Sequence, residues 1–299
     1  MTTGVALRLL LIMGLWAACF PLITIGLDMA PHLAFASLRA ALAGLCLLLL
    51  GAFLRRAVPG GARVWALIAV VAFGDTTLGF LGMFHAAEFV SPGLATVIYN
   101  AQPLLAAALA YAVLRERLKG PGKVGLVAGF AGIVAIAWPG LASGNGNGYA
   151  LGITYIAVAA CGEAVSNVAL KRLSDEIDAM MVMGFQFVLG AAPLALLSQW
   201  TEDGSSVTWS TSFIAVLVTL SVFGTALPYW LWFASLKRVE LSRANAFRFL
   251  TPLFGLGIGA AFFNERLGWI QAAGAALVLI GIALVQSDAR AKPMTSLSS

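Results

Sequence analysis

Short polar connections divide the chain into ten long apolar runs. Each run carries at most one fixed charge and is bounded by Gly, Pro or charged clusters. A helix that crosses the hydrocarbon core of a bilayer needs about 20 apolar residues, which each run approaches or exceeds. The predicted membrane spans are 7–26, 33–53, 64–84, 93–113, 122–139, 150–170, 180–199, 211–235, 244–262 and 269–286.

The runs predict helices rather than strands. In lipid every backbone amide needs a partner within its own segment or in a closed barrel, and the alternating pattern of a barrel strand is absent from these runs. The predicted fold class is therefore all-α integral membrane, with ten transmembrane helices and the lipid bilayer as its main solvent.

Composition supports this prediction. Of the 299 residues 61% are hydrophobic and 10% are charged, and the mean hydropathy is +0.93, whereas about a quarter of the residues of a soluble domain are charged. The net charge of +5 is dispersed through the connections, which argues against a nucleic-acid partner. All three cysteines lie inside apolar runs, so neither a metal site nor a cofactor is predicted.

Lysine and arginine predict the orientation. If the N-terminus is cytoplasmic, fifteen of the eighteen basic residues fall on the cytoplasmic side. Arg266 lies in a connection on the opposite side, and Arg39 and Arg248 lie within spans. An even number of spans then places both termini in the cytoplasm.

The chain contains an internal repeat at an offset of 149 residues. The matched pairs are Pro103 with Pro252, Glu116-Arg117-Leu118 with Glu265-Arg266-Leu267, Gly125 with Gly274, and Gly132 with Gly281. Five spans per copy is an odd number, so the copies must cross the membrane in opposite directions, as in many secondary transporters. The predicted units are a first five-helix repeat at 1–142, a second, inverted repeat at 149–287 and a cytoplasmic tail at 288–299, with residues 143–148 as a flexible linker.

These features resemble the drug/metabolite transporter superfamily, and specifically its EamA-type members. The most specific marks are the paired Pro…Glu-Arg-Leu segments, together with Trp16 and Phe20 on the first helix. Among such proteins the chain most resembles the YddG-type aromatic amino acid exporters. The resemblance implies a secondary transporter of the bacterial inner membrane that exports amino acids, aromatic or broadly hydrophobic, by alternating access from a central cavity.

The candidate substrate-binding residues are polar or aromatic side chains within the spans. Arg248 either binds a substrate carboxylate or extends to the nearby membrane surface. The aromatic side chains either line a cavity or serve in packing and interfacial belts. The full set is Trp16, Phe20, Tyr99, Asn100, Glu163, Tyr229, Trp232 and Arg248.

Asp75 and Glu163 are acids deep within spans, where ionisable groups are functional candidates. Proton coupling, recognition of an ammonium group and a structural ion pair with Arg39 or Arg248 are all compatible with their positions. His32 and His85 lie near outer span ends, where a solvated surface histidine is expected.

Pro103 and Pro252 lie about eight to ten residues into matched spans, where proline removes a helical hydrogen bond. Because both copies carry it, the proline is interpreted as a hinge for alternating access; the other interpretation is a static kink accommodated by packing.

Other functions were weighed. No nucleophile with a base in reach supports an intramembrane enzyme, so no enzymatic activity is predicted. A channel, and a carrier for another small metabolite or drug, remain alternatives to an amino acid exporter. Arg39 and Arg248 supply little positive charge for a nucleotide substrate. The sequence makes no prediction of the oligomeric state.

Overall fold

The computed structural model describes residues 3–101, 104, 120–142, 146–171, 173, 177–203, 207–236, 247–248 and 250–290. Pro103 and the first Glu-Arg-Leu segment at 116–118 lie outside the described residues. The predicted spans 93–113 and 244–262 lie partly outside them.

The regular secondary structure of the described residues is helical, and those ranges contain no strand. The helices are α1 Thr3–Ala17, α2 Cys19–Leu27, α3 His32–Phe53, α4 Ala62–Val71, α5 Gly79–Phe89, α6 Pro92–Tyr99, α7 Gly120–Ala142, α8 Gly146–Lys171, α9 Ala179–Thr201, α10 Thr211–Val218, α11 Leu227–Leu236, α12 Leu250–Phe262 and α13 Trp269–Arg290. Two π-helical stretches complete the list: the first π segment, Ala72–Leu78, and the second π segment, Thr219–Ala226.

The all-helical membrane architecture is confirmed at this level. Among the described residues, seven continuous helical stretches are long and apolar enough to cross a membrane, and α12 and the apolar part of α13 are shorter. These seven helical stretches are residues 4–27, 32–53, 62–89, 120–139, 148–166, 179–201 and 211–232.

Several element boundaries differ from the prediction, and three of these differences concern the third span, the linker and the tail. The third span continues to Phe89, beyond the predicted end at 84, because the polar side chains of its last turn lie at the end of the bundle. Helix α8 begins at Gly146, inside the predicted linker, where the first amides of a helix need no intrahelical partner. Helix α13 runs to Arg290, three residues into the predicted tail.

The first span is not one straight helix. Helix α1 ends at Ala17 and α2 begins at Cys19, with Ala18 between them. Pro21 has no N–H to donate to the carbonyl of Ala17, so the helical ladder is interrupted at this point. Because of this break, Trp16 belongs to α1 and Phe20 to α2.

Helices from the two sequence copies pack against each other in antiparallel pairs. In the pair α7 and α13, a Cβ atom on Gly132 would lie 2.6 Å from the carbonyl oxygen of Gly274, and one on Gly281 would lie 2.6 Å from that of Gly125. Glycine is required at both places because the backbones touch. The two contacts are equivalent in the internal repeat, because at the offset of 149 Gly132 matches Gly281 and Gly125 matches Gly274.

The pair α3 and α9 is also antiparallel. Glu202, just after α9, accepts hydrogen bonds from the backbone amides of Leu33 and Ala34 at 2.8 and 2.9 Å, which caps the start of α3. At the opposite end Arg56 lies 3.6 Å from Asp178, the N-cap of α9. Helices α5 and α8 form a third such pair, and α6 and α12 a fourth.

The bundle therefore has two ends, which we name the His32 end and the Arg56 end. At the His32 end, His32 Nε2 lies 3.1 Å from Glu88 Oε2, and the His32 and His85 rings stack with centroids 4.9 Å apart. The two rings contact each other because the start of α3 lies beside the end of α5, and the His32 side chain remains 26% exposed.

Helix α12 runs from the Arg56 end to the His32 end. Glu265, just after α12, accepts hydrogen bonds from the Ser91 hydroxyl at 3.0 Å and from the Gly93 amide at 2.9 Å. Ser91 follows α5, which ends beside His32. Arg248, just before α12, consequently lies toward the Arg56 end, whereas Arg39, seven residues after His32, lies toward the His32 end.

Candidate functional site

The centre of the candidate site is an ion pair between two helices. Arg248 Nη2 lies 3.2 Å from Glu163 Oε1, and the side chains are 30% and 10% exposed. Glu163 comes from the middle of α8 and Arg248 from the residues that precede α12. Arg248 thus points toward Glu163 and not toward the membrane surface.

Aromatic rings surround this pair. The Arg248 guanidinium lies 5.4 Å from the ring centre of Trp16 and 5.7 Å from that of Trp232. Trp16 in turn contacts Tyr229 edge-on at 5.7 Å and Trp232 at 5.5 Å. Cation–π attraction holds the guanidinium against these faces, with an energy of roughly 0.5–2 kcal/mol per contact. Four of the predicted binding residues therefore form one cluster with Glu163.

Tyr99 and Phe20 adjoin the cluster from α6 and α2. Their ring centres are 6.0 Å apart, and the Tyr99 phenol is an electrostatic neighbour of Glu163. Asn100 follows Tyr99 at the end of α6 and donates its side-chain amide to the Thr96 carbonyl oxygen at 2.8 Å. In this arrangement the Asn100 side chain is a hydrogen-bond donor to a carbonyl group of its own helix, and its amide is not directed at the ion pair.

Asp75 lies in the first π segment and is buried. Its Oδ2 atom accepts a hydrogen bond from Gln186 Nε2 at 3.2 Å, and Gln186 Oε1 accepts one from the Thr76 hydroxyl at 2.6 Å. Among the described residues no arginine lies within ion-pair distance of Asp75. The predicted structural pair with Arg39 or Arg248 is therefore formed by Glu163 with Arg248, while a neutral amide binds Asp75.

Asp75 and Glu163 belong to one electrostatic group. The Glu163 carboxylate is close enough to interact electrostatically with Asp75. Tyr229 and Arg248 are also neighbours of Asp75. Helices α8 and α9 both pack on the first π segment, which brings Glu163 and Gln186 to the same region as Asp75. The site therefore contains two carboxylates, one guanidinium, two phenols and one amide.

Of the two predicted hinge prolines the structure describes one. Pro252 is buried in the first turn of α12, of which it is the third residue. Thr251 beside it directs its hydroxyl to Met13 Sδ at 3.2 Å. The end of α12 that carries Pro252 thus packs on α1, the helix that carries Trp16.

Comparison with known proteins decides the family. The model of the EamA-like transporter family matches residues 4–138 and 150–287, together most of the chain. The chain belongs to the EamA-like transporter family. It is a multi-pass membrane transporter of small molecules, not an enzyme, and the resemblance drawn from the sequence is confirmed.

Similar members of this family carry general names. The transporter is 28% identical over 290 residues to the uncharacterized transporter YvbV of Bacillus subtilis, covering 97% of this chain and 94% of that one. It is 30% identical over 283 residues to a protein of Salmonella typhimurium named "probable amino-acid metabolite efflux pump", covering 91% of each.

One relative is longer, and one solved structure shares the fold. A WAT1-related chloroplastic protein of Arabidopsis thaliana is 32% identical over 259 residues, which are 84% of this transporter but 61% of that protein. A crystal structure at 21% identity superposes with a TM-score of 0.66 and covers 97% of this chain and 99% of that one. At that identity the superposition shows the fold alone.

Sequence reasoning missed three features of this transporter's site: Gln186, Phe187 and the π segments. Gln186 is fully buried, and it is the one amide side chain in the first two-thirds of the apolar helix α9. That isolated polar residue was an available signal. Phe187 stacks edge-on against Tyr229 at 5.2 Å, but its sequence context does not differ from that of a packing phenylalanine. The π segments carry no sequence mark that distinguishes them from α-helix.

Proposed function

We propose that this transporter exports aromatic or other large hydrophobic amino acids by alternating access. The observation that carries the proposal is the Glu163–Arg248 pair with its aromatic surround. A free amino acid has an ammonium group, a carboxylate and a side chain. The site offers a carboxylate, a guanidinium and the rings of Trp16, Tyr229 and Trp232.

The ion pair can exchange partners with such a substrate. The substrate ammonium takes the place of Arg248 beside Glu163, and the substrate carboxylate takes the place of Glu163 beside Arg248. A buried charge without a partner is strongly unfavourable, so a ligand that carries both charges replaces the pair at low cost while a ligand with one charge leaves a buried ion unpaired. This exchange favours zwitterions over simple amines or acids.

The aromatic rings supply the second part of the recognition. Trp16, Tyr229, Trp232 and Phe187 form a series of edge-on and tilted contacts with centroids 5.2–5.7 Å apart. Phe20 and Tyr99 add a further aromatic contact beside Glu163, with ring centres 6.0 Å apart. An aromatic or large aliphatic side chain fits such walls, each buried apolar group contributing roughly 25 cal/mol per Å². The Salmonella typhimurium and Escherichia coli relatives are both named "probable amino-acid metabolite efflux pump", which agrees with this substrate class.

Alternating access rests on the internal repeat. In the proposed architecture the units 1–142 and 149–287 each contribute five spans of opposite orientation, giving ten spans in all. The reciprocal glycine contacts of α7 and α13 and the antiparallel pairing of helices from the two copies support this arrangement. Pro103 and Pro252 are the proposed hinges. Both termini, including the tail at 288–299, are proposed to face the cytoplasm from a bacterial inner membrane.

Asp75 and Glu163 are the proposed coupling groups. Asp75 is buried, is hydrogen-bonded to a neutral amide and faces Glu163, which itself exchanges partners when substrate binds. Two carboxylates in one buried region cannot both hold a charge without cost, so binding of a cationic ammonium and binding of a proton are linked there. Loss of the response to a proton gradient in Asp75→Asn supports this role, whereas full transport with an unchanged pH response in both Asp75→Asn and Glu163→Gln contradicts it.

Efflux from loaded proteoliposomes tests the proposed function. The panel contains amino acids, sugars and drugs, each measured with and without a proton gradient. We expect phenylalanine, tryptophan and leucine to leave faster than from protein-free vesicles and faster than the sugars and drugs. A drug or another metabolite as the preferred cargo would instead support the alternative carrier.

The same vesicles separate a carrier from a channel. External unlabelled phenylalanine accelerates efflux of labelled phenylalanine through a carrier, because the loaded protein reorients faster than the empty one. A channel shows no such acceleration. For all variants of the site, Leu189→Ala is the control variant. Leu189 lies on α9, and 41% of its surface is exposed.

A further inference from the structure

Arg39 is a buried cation whose partners do not neutralise it. It lies on α3 and is 3% exposed. Its Nε donates to the Thr225 hydroxyl at 3.1 Å, and its Nη2 lies 3.5 Å from Cys19 Sγ. Its Nη1 is buried without a hydrogen-bond partner. Among the described residues no carboxylate lies within ion-pair distance of Arg39.

The remaining surroundings of Arg39 are aromatic. Its guanidinium carbon lies 4.3 Å above the ring centre of Phe80 and 5.8 Å from that of Phe84. Ring faces attract a cation but supply no hydrogen-bond acceptor for Nη1. The guanidinium edge that carries Nη1 and Nη2 is therefore largely free. Nη1 has no acceptor, and the acceptor of Nη2 is the sulfur of Cys19, which is a weak one. Two parallel N–H groups of this kind match the two oxygens of a carboxylate.

A series of aromatic rings connects Arg39 to Arg248. From Arg39 it passes to Phe80, then to Phe187 at 6.1 Å, to Tyr229 at 5.2 Å and to Trp16 at 5.7 Å, and ends at Arg248. Arg39 stands toward the His32 end and Arg248 toward the Arg56 end. At 1.5 Å per residue Arg39 is about 10 Å along α3 from His32. Arg39, which is buried, and Arg248, which is 30% exposed, thus lie at opposite ends of one aromatic path.

We propose that Arg39 is a second carboxylate-binding residue, which receives the substrate carboxylate after Arg248 releases it, when the site opens toward the His32 end. The inference rests on the proposed function and adds a residue and a direction to it. In the described arrangement the position is closed, and Thr225 and Cys19 hold the guanidinium in place. The substrate side chain remains on the aromatic path while its carboxylate moves from one arginine to the other.

Paired substrates and variants test this role in proteoliposomes. Arg39→Gln should lower phenylalanine efflux about tenfold, because a hydrogen bond to a charged group is lost. Efflux of phenethylamine, which has no carboxylate, should change by less than about twofold under the same rule. Arg39→Lys keeps the charge and should retain more phenylalanine efflux than Arg39→Gln. Equal losses for both substrates, or no loss for either, would overturn the proposal.

A variant that keeps the charge covers the case in which Arg39→Gln does not fold. Thr225→Val removes the acceptor that fixes Arg39 Nε and preserves side-chain volume. We expect the half-saturating phenylalanine concentration to change about threefold for binding from the His32 end. The half-saturating phenethylamine concentration should stay constant. An equal change for both substrates would contradict the proposal.

Binding of phenylacetate separates this inference from the proposed function. Phenylacetate is added to the purified protein in detergent, and its effect on the thermal unfolding midpoint is compared in the wild type, Arg39→Gln and Arg248→Gln. If the wild type exports no amino acid but phenylacetate stabilises it in an Arg39-dependent way, the proposed function fails and the Arg39 site stands. If phenylalanine is exported and Arg39→Gln alters neither efflux nor phenylacetate binding, the inference fails and the function stands.

Discussion

The two π segments share one scaffold and carry different chemistry. Thr76 in the first and Thr225 in the second are related by the offset of 149, and both are buried. Each segment also contains a threonine hydroxyl bonded to the carbonyl five residues earlier, Thr77 to Ala72 and Thr225 to Leu220. Yet Thr76 binds Gln186 beside Asp75, whereas Thr225 binds Arg39.

The different partners of Thr76 and Thr225 show how a duplicated scaffold can hold an asymmetric ligand. The crossing helix is α9 at the first segment and α3 at the second, so the packing is equivalent in the two halves. The side chains that arrive from these helices are an amide next to an acid in one half and a guanidinium in the other. A π-helical stretch leaves carbonyl groups and space that such polar side chains use, which agrees with its frequent occurrence at functional sites.

Removal of the Glu163–Arg248 ion pair should have the largest effect. Glu163→Gln and Arg248→Gln should each lower phenylalanine efflux about 30-fold. Truncating one partner of a buried hydrogen-bonded charge pair costs roughly 2–5 kcal/mol, and the lower end applies because the Arg248 side chain is 30% exposed. The double variant should be no worse than the single variants, since neither charge is then left unpaired. Additive losses in the proteoliposome assay would show that the two residues act independently.

Gln186→Leu removes the polar partner of the first π segment at nearly constant volume. Asp75 and Thr76 each lose a hydrogen bond in a buried position, which costs about 1–3 kcal/mol. We expect a lower midpoint of thermal unfolding in detergent and roughly tenfold slower phenylalanine efflux. Leu189→Ala on the same helix should leave both unchanged. A Gln186→Leu protein with wild-type stability and efflux would show that the network has no role.

Thr76→Val and Thr225→Val form a matched pair across the two halves. Each replaces one hydroxyl that binds a neighbouring helix, so each should cost about 1 kcal/mol, or roughly fivefold in efflux. The consequences should differ in kind. Thr76→Val should alter the response to a proton gradient, and Thr225→Val the discrimination between phenylalanine and phenethylamine. Identical phenotypes in the two variants would remove the asymmetry argued from the structure.

Pro252→Ala should have the smallest effect. Pro252 lies in the first turn of α12, where its fixed φ sets the direction in which the chain enters the helix. Alanine removes that constraint at the proposed hinge, so efflux should slow by about threefold with unchanged expression. Pro193→Ala is the control, because Pro193 lies inside α9 and its partner at the offset of 149 is Gly44. Equal slowing in both variants would mean that helix stiffness in general, rather than a hinge at α12, limits the rate.

The sequence predicted the helical membrane architecture well because lipid constrains it strongly. Apolar length alone places helices such as α3 and α9 within a few residues. It also selected Trp16, Glu163, Tyr229, Trp232 and Arg248, since ionised and aromatic residues within apolar runs are conspicuous.

What the sequence did not predict depends on tertiary contact. The break at Ala18 depends on Pro21, which has no N–H to donate to the Ala17 carbonyl. The π segments depend on the packing of α3 and α9. The pairing of Glu163 with Arg248, and of Asp75 with Gln186, follows from which helices cross at that level. Periodicity within one helix contains no information on those crossings.

The central claim is that this transporter recognises both charges of its substrate. It is tested most directly by competition in wild-type proteoliposomes, where unlabelled phenylalanine, phenethylamine and phenylacetate each compete with labelled phenylalanine. Phenylalanine should compete at least about tenfold more strongly than either analogue, because each analogue leaves one charge of the site without a partner. Equal competition by phenylalanine and one of the analogues would contradict it.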